Sequence, residues 1–140
     1  MDQRNNLALV TDLYQLTMAQ SYFQSRKLES ATFSLFIRSY PPNRGYFVSA
    51  GLEDILIFLQ NFAFDPRAID YLRSKRLFAD EFLDFLKGLH FTGEVWAIPE
   101  GRLFFKDEPI LEITAPIIEA QMVETFVINQ INLQALIATK

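Results

Sequence analysis

The sequence predicts a single α+β domain, and three observations carry that expectation. Apolar residues recur at helical spacing in several separate stretches, while others alternate with a period of two. The two kinds of segment fall in the order α, β, β, α, α, α, β, β, β, α, so the strands form two groups and do not interleave with helices. The length of 140 residues is one domain's worth, and half the chain is apolar, including 14 Phe, enough for a packed core.

The elements follow in order. Residues 12–24, DLYQLTMAQSYFQ, place Leu13, Leu16, Tyr22 and Phe23 at spacings that fit a helix. Residues 31–40, ATFSLFIRSY, alternate, with Phe33, Leu35 and Ile37 facing one way and Phe36, Arg38 and Tyr40 the other; this predicts a strand. PPNRG follows as a turn of breakers, and GYFVSAG reads as a second short strand closed by Gly51. LEDILIFLQNF, 52–62, predicts a helix with Leu52, Ile55, Leu56 and Leu59 on one stripe. DPRAIDYLRSK, 65–75, opens with an Asp N-cap and Pro at the first helical position. ADEFLDFLKGL, 79–89, is a further helix with Gly88 as its stop.

The period then changes. Within residues 92–116, Val95, Ala97 and Pro99 alternate with Trp96 and Ile98, and Glu100-Gly101 and Lys106-Asp107-Glu108 read as turns between strands. A long helix runs from Ile117 to the end. Its charges are only Glu119, Glu124 and Lys140, and amides (Gln121, Asn129, Gln130, Asn132, Gln134) interrupt an otherwise apolar surface. A helix that is apolar on most sides is normally buried on most sides. It either frays while docked on its own sheet or packs against another domain or subunit beyond the last residue. The second is the expectation, because no Gly or Asn ends the helix.

Composition narrows the function classes. There are 13 basic and 17 acidic side chains, which argues against general nucleic-acid binding but leaves room for an Arg placed on a phosphate. Without cysteine there is no disulfide framework or thiolate metal site, and a single His, His90, makes a His-based site an unpromising reading. The N-terminus lacks the pattern of a signal peptide, and no apolar run approaches the ~18–20 residues needed to span a bilayer. A cytoplasmic protein without membrane contact is the default.

Five ordered blocks carry more. TDLYQLTM, FSLFIRSYPPNRGYFVSAGLEDIL, GEVWAIPEG, EPILEITAP and ETFVINQINLQALIATK resemble, in that order, the N-terminal part of the nicotinate phosphoribosyltransferase family. The resemblance covers Val10 to Lys140, with little signal between Asn61 and Leu89. It implies the α/β-hammerhead-like N-terminal domain of a type II phosphoribosyltransferase, without its TIM-like barrel. Residues 1–140 would then be one domain, with 116–140 a helix leading towards the barrel. The implied reaction makes nicotinate mononucleotide from nicotinate and phosphoribosyl pyrophosphate (PRPP), coupled to ATP hydrolysis, in NAD salvage. ATP and Mg2+ are implied as cofactors with sites outside this chain. The implied assembly is a homodimer in which one subunit's N-terminal domain covers the other's barrel mouth. His90 does not match the family's catalytic His, so the chain by itself is expected to be inactive.

Candidate site residues come from these blocks. Asp12 reads as an N-cap with Gln15 reaching back as in a capping box. The resemblance adds a compatible role, in which Asp12 is a hydrogen-bond acceptor in the partner's site. Tyr14 reads either as a packing tyrosine or, by resemblance, as a ring lying against the pyridine of nicotinate. Arg38 reads as an edge-strand charge with its stem over apolar surface, or, by resemblance, as a phosphate contact on PRPP, with Arg44 as the alternative ligand.

GEVWAIPEG and EPILEITAP are also similar to the hammerhead strands of biotinyl and lipoyl carrier modules. Lys106 sits at the matching tip but lacks the carrier signature around it, so it reads as a solvated turn residue. A non-catalytic carrier-like or dimerisation module is the alternative function.

Overall fold

The structure, a computed structural model, describes residues 7–140. A short 3-10 turn, Leu7–Leu9, leads into α1 (Leu13–Gln24), β1 (Ser30–Leu35) and β2 (Phe47–Val48). Then come α2 (Leu52–Gln60), α3 (Pro66–Ser74) and α4 (Asp80–Lys87), followed by β3 (Glu94–Ala97), β4 (Leu103–Phe104), β5 (Leu111–Pro116) and α5 (Ile117–Ala138). The predicted order of helices and strands is the observed one.

The strands make a three-stranded antiparallel sheet, β1-β5-β3, and a two-stranded one, β2-β4. In the larger sheet Leu35, Leu111 and Ala97 share a row, as do Thr32, Thr114 and Glu94. Leu111, Ile113 and Ala115 of β5 are buried in strict alternation, and α5 packs on β5 and β1. The other face is exposed and mostly polar, with Trp96 beside Glu112: Thr32 and Thr114 hydroxyls lie 2.7 Å apart, and Ser34 donates to Glu112 at 2.6 Å. One apolar face and one hydrophilic face is the usual economy of an antiparallel sheet.

β1 stops at Leu35 rather than continuing to Tyr40. Its partner strand β5 begins only at Leu111: Leu35 still accepts from Ile110 N–H at 2.8 Å, but before Ile110 the chain leaves the strand at Pro109 for the 105–108 turn. Ile37 accepts instead from Asp107 N–H in the 105–108 turn at 2.8 Å.

α3 starts where the sequence predicts: Asp65 caps it, accepting from Ala68 N–H at 2.7 Å, and Pro66 is its first residue. It pairs with α4, whose buried Phe82, Leu83 and Leu86 meet α1 through Phe23, 5.8 Å from the Phe82 ring. In α2 the buried stripe is Ile55, Phe58 and Leu59, while Leu56 is exposed, contrary to the expected stripe. The turn of the helix is set by Phe58, which stacks on Phe126 of α5 at 3.9 Å.

α5 holds the domain together. It touches α1, α2, β1, β2 and β5. Ile118, Met122, Val123, Phe126, Val127 and Ile131 are buried against these neighbours, so most of its apolar surface is satisfied within this fold. Leu133, Leu136 and Ile137 near its end stay exposed. Its buried Glu119 accepts from Thr92 N–H at 2.6 Å and from the Thr92 hydroxyl, fixing the helix start to the segment before β3. Among the described residues no helix is long and apolar enough to cross a membrane.

Candidate functional site

The first turn of α1 is built by side chains that reach backwards. Asp12 occupies the N-cap with extended φ and ψ of −88° and 152°, and Gln15 is the third helical residue. The Gln15 amide oxygen accepts Asp12 N–H at 3.0 Å, which is the returning half of the capping box. Asp12 and Tyr14 lie on the outward side of this turn, with Tyr14 48% exposed, whereas Gln15 is fully buried.

Gln15 is buried because α5 runs beneath it. Its Oε1 also accepts from the hydroxyls of Thr11 and of Thr125, the latter at 2.7 Å. Its Nε2 donates to Glu124 Oε2 at 3.1 Å. Gln121, one turn earlier on α5, donates to the same Glu124 oxygen at 3.0 Å. The second Glu124 oxygen accepts the Tyr14 hydroxyl at 3.1 Å. Thr125 also lies 3.0 Å from Asp12 Oδ2, and its one hydroxyl hydrogen serves either Asp12 or Gln15 at a given moment.

Two elements from opposite ends of the chain thus form one polar cluster. Glu124 is also the one charged residue lining a cleft of about 110 Å³ between α5 and the larger sheet, whose walls include Phe33, Leu35, Ile113 and Val127. Partial burial, and next the Glu124 carboxylate, raise the Tyr14 phenol above its ordinary value of 10.0, so it stays protonated through the neutral range. The arrangement offers a half-exposed aromatic face with its hydroxyl tethered behind it, and an outward carboxylate beside it. It is suited to stacking and hydrogen bonding.

Arg38 stands elsewhere. It is exposed beyond the end of β1, next to the residue that pairs with the 105–108 turn, and it does not line the cleft. Arg44 is half-buried in the Pro42–Tyr46 loop beside Thr139 and Lys140, and its Nη1 is buried without a hydrogen-bond partner among the described residues. The structure therefore groups Asp12 with Tyr14 and leaves both arginines outside their hydrogen-bonded cluster. Lys106 is exposed on its turn, 3.6 Å from Asp107. His90 is exposed and within 3.0 Å of the Gly88 carbonyl. Among the described residues no group of three or more His, Cys, Asp or Glu could hold a metal ion.

Sequence reasoning missed Gln121, Glu124 and Thr125 as members of the cluster, and it read Gln15 only as a cap. One signal pointed to them: Glu124 is a rare charge in a helix otherwise made of apolar residues and amides. The first turn of α1, within TDLYQLTM, meets this part of α5.

A family model described as the nicotinate phosphoribosyltransferase (NAPRTase) N-terminal domain matches residues 9–132. The chain is 53% identical over 133 residues to a nicotinate phosphoribosyltransferase of Mycobacterium tuberculosis, covering 95% of this chain and 29% of that protein. It is 43% identical over 137 residues to the nicotinate phosphoribosyltransferase of Bacillus subtilis, covering 97% of this chain and 28% of that one. The solved structure of human nicotinic acid phosphoribosyltransferase superposes with a TM-score of 0.84 at 33% identity, over 92% of this chain and 26% of the human one. The chain thus spans less than a third of the length of these relatives.

Proposed function

Because the chain belongs to the nicotinate phosphoribosyltransferase N-terminal domain family, we propose that it serves as the N-terminal domain of an enzyme that makes nicotinate mononucleotide from nicotinate and PRPP. That enzyme couples the transfer to ATP hydrolysis in NAD salvage and works in the cytoplasm as a homodimer. The observation that carries the reading is the Tyr14–Asp12 edge: a half-exposed ring and a carboxylate side by side, facing away from this domain's own core.

In this reading the Tyr14 ring lies against the flat pyridine of nicotinate in the partner subunit's site, and Asp12 accepts a hydrogen bond beside it. Arg38 supplies a guanidinium fork for a PRPP phosphate, with Arg44 as the alternative. Neither arginine belongs to the Tyr14 hydrogen-bonded cluster, so the phosphate role is assigned separately from the ring contact. ATP and Mg2+ take part in the proposed reaction at sites outside this chain.

None of these groups can cleave the ribosyl–pyrophosphate bond alone. Stabilising a cationic ribosyl centre requires preorganised groups on a rigid scaffold around the reacting atoms. This chain alone is therefore inactive in the proposal. The test is nicotinate mononucleotide formation from nicotinate, PRPP and Mg-ATP, by this chain alone and by a chimera in which it replaces the matching segment of the Bacillus subtilis relative. Activity in the chimera alone, lost on Tyr14→Ala, is expected. Product from the chain alone would overturn the requirement for a further domain. A folded chimera that makes no product would overturn the assignment of this chain to that reaction.

A further inference from the structure

We propose that Glu124 and Thr125 of α5 act as positioning residues for the Tyr14–Asp12 edge of α1, setting the angle at which the Tyr14 ring meets a flat aromatic carboxylate. The inference rests on the reading of Tyr14 as the ring that meets nicotinate, and it adds residues that neither touch the ligand nor belong to the exposed edge.

A tyrosine in the first turn of a helix, half exposed, would ordinarily turn about its side-chain bonds, and a helix end frays. Tyr14 has a tether instead. Its hydroxyl donates to Glu124 Oε1, while the other oxygen of that carboxylate is gripped by the amides of Gln15 and Gln121 at 3.1 and 3.0 Å. Both amides are buried, Gln15 completely and Gln121 with 3% exposure. The carboxylate therefore cannot follow the ring, and the ring is held to α5. Between Met122 and Val127, α5 buries Met122, Val123, Phe126 and Val127, so Glu124 projects from a well-packed stretch of the helix.

Thr125 does the same for the second member of the edge. Its hydroxyl lies 3.0 Å from Asp12 Oδ2 and 2.7 Å from Gln15 Oε1. The Asp12 carboxylate is thereby met from behind by α5. A clamp needed only to join α1 to α5 would be complete with Gln15, Glu124 and Thr125. It would not require the tyrosine hydroxyl, which is the one bond in the cluster made by a half-exposed ring. Outer contacts of this kind orient the groups that touch a ligand, and a small displacement of those groups is costly.

The experiment uses this chain labelled with 13C in its tyrosine rings, with the Tyr14 signal identified by its loss in Tyr14→Phe. Glu124→Gln keeps the shape of the side chain but removes its charge. In that variant the Tyr14 signal is expected to titrate at lower pH and to narrow as the ring gains mobility, while the other tyrosines stay unchanged. In the chimera described above, Glu124→Gln and Thr125→Val are expected to raise the KM for nicotinate about tenfold with kcat little changed, the pattern of weakened ground-state binding.

A Tyr14 signal unaltered in folded Glu124→Gln overturns the inference. So does a mobile Tyr14 with unchanged KM for nicotinate in a chimera whose activity Tyr14→Ala abolishes. A chimera in which Tyr14→Ala itself leaves nicotinate binding untouched overturns the ligand reading, with the ring titration still deciding whether Glu124 holds Tyr14.

Discussion

The Gln15 amide of α1 donates to the Glu124 carboxylate of α5 at 3.1 Å, joining two residues 109 positions apart in a part of the domain where Gln15 has no solvent exposure. This bond makes the first turn of α1 part of the core instead of a loose helix end. Beside it, the Tyr14 hydroxyl donates to Glu124 and the Thr125 hydroxyl lies 3.0 Å from Asp12, so four residues of the two helices share one polar cluster with Gln15.

Gln15→Leu should therefore destabilise the domain more than its polar chemistry alone suggests. The substitution takes the acceptor from Asp12 N–H and the Thr11 hydroxyl, and removes one of the two amides that donate to Glu124. A loss of about 2–3 kcal/mol is expected, because unpaired buried polar groups cost about 1–3 kcal/mol. Urea unfolding followed by circular dichroism measures it, and a loss under half a kcal/mol would show that the cluster re-satisfies itself with water.

Gly93→Ala should disrupt the edge of the larger sheet. A Cβ at Gly93 would stand 2.5 Å from both the Ala115 Cβ and the Thr114 carbonyl oxygen, so β3 and β5 would have to separate. Overpacking of this kind costs about 1–3 kcal/mol. Because the sole tryptophan, Trp96, lies on β3, its fluorescence should report the melting of that strand at a lower temperature than in the unaltered chain.

Gly51 and Glu100 form the cap of α2. Gly51 has φ of +100° and its N–H donates to the Glu100 carboxylate at 2.7 Å, with the Gln130 carbonyl 3.0 Å from where a Cβ would be. Glu100→Ala should cost about 1 kcal/mol, the usual value of a helix cap. Gly51→Ala should cost more, since it adds left-handed strain to a close contact. Thermal melts of the two variants test the ranking, and the reverse order would show that the cap outweighs the backbone.

Stability should fall with alkali through Tyr14. Its phenol is raised by partial burial and then by Glu124, so the folded state keeps the proton that the unfolded chain releases near 10.0. The contribution is complete below that value and is lost as pH rises through the higher folded one. Unfolding midpoints measured on either side of pH 10 should fall less steeply with pH in Tyr14→Phe than in the unaltered chain. Equal slopes would remove Tyr14 from the alkaline transition.

Much of the fold was legible because its signals are local. Asp65-Pro66 announces α3 through a cap and a fixed φ that need no distant partner. The change from helical to alternating periodicity near Thr92 separates the two groups of elements. The family blocks offered Asp12, Tyr14 and Arg38 as candidates, and the capping-box pattern marked Gln15 as turned back on its own helix.

What sequence alone did not determine depends on partners far along the chain. Where β1 ends was decided by its neighbour β5, which begins only at Leu111. Which stripe of α2 is buried was decided by the ring of Phe126. α5 is apolar almost all round, so no periodicity could say which side meets which neighbour. The burial of Gln15, and its grouping with Glu124 and Thr125, followed only when that helix was laid beneath α1. Spacing and caps act over a few residues, whereas a hydrogen bond across 109 positions leaves no local trace until the backbone brings its two ends together.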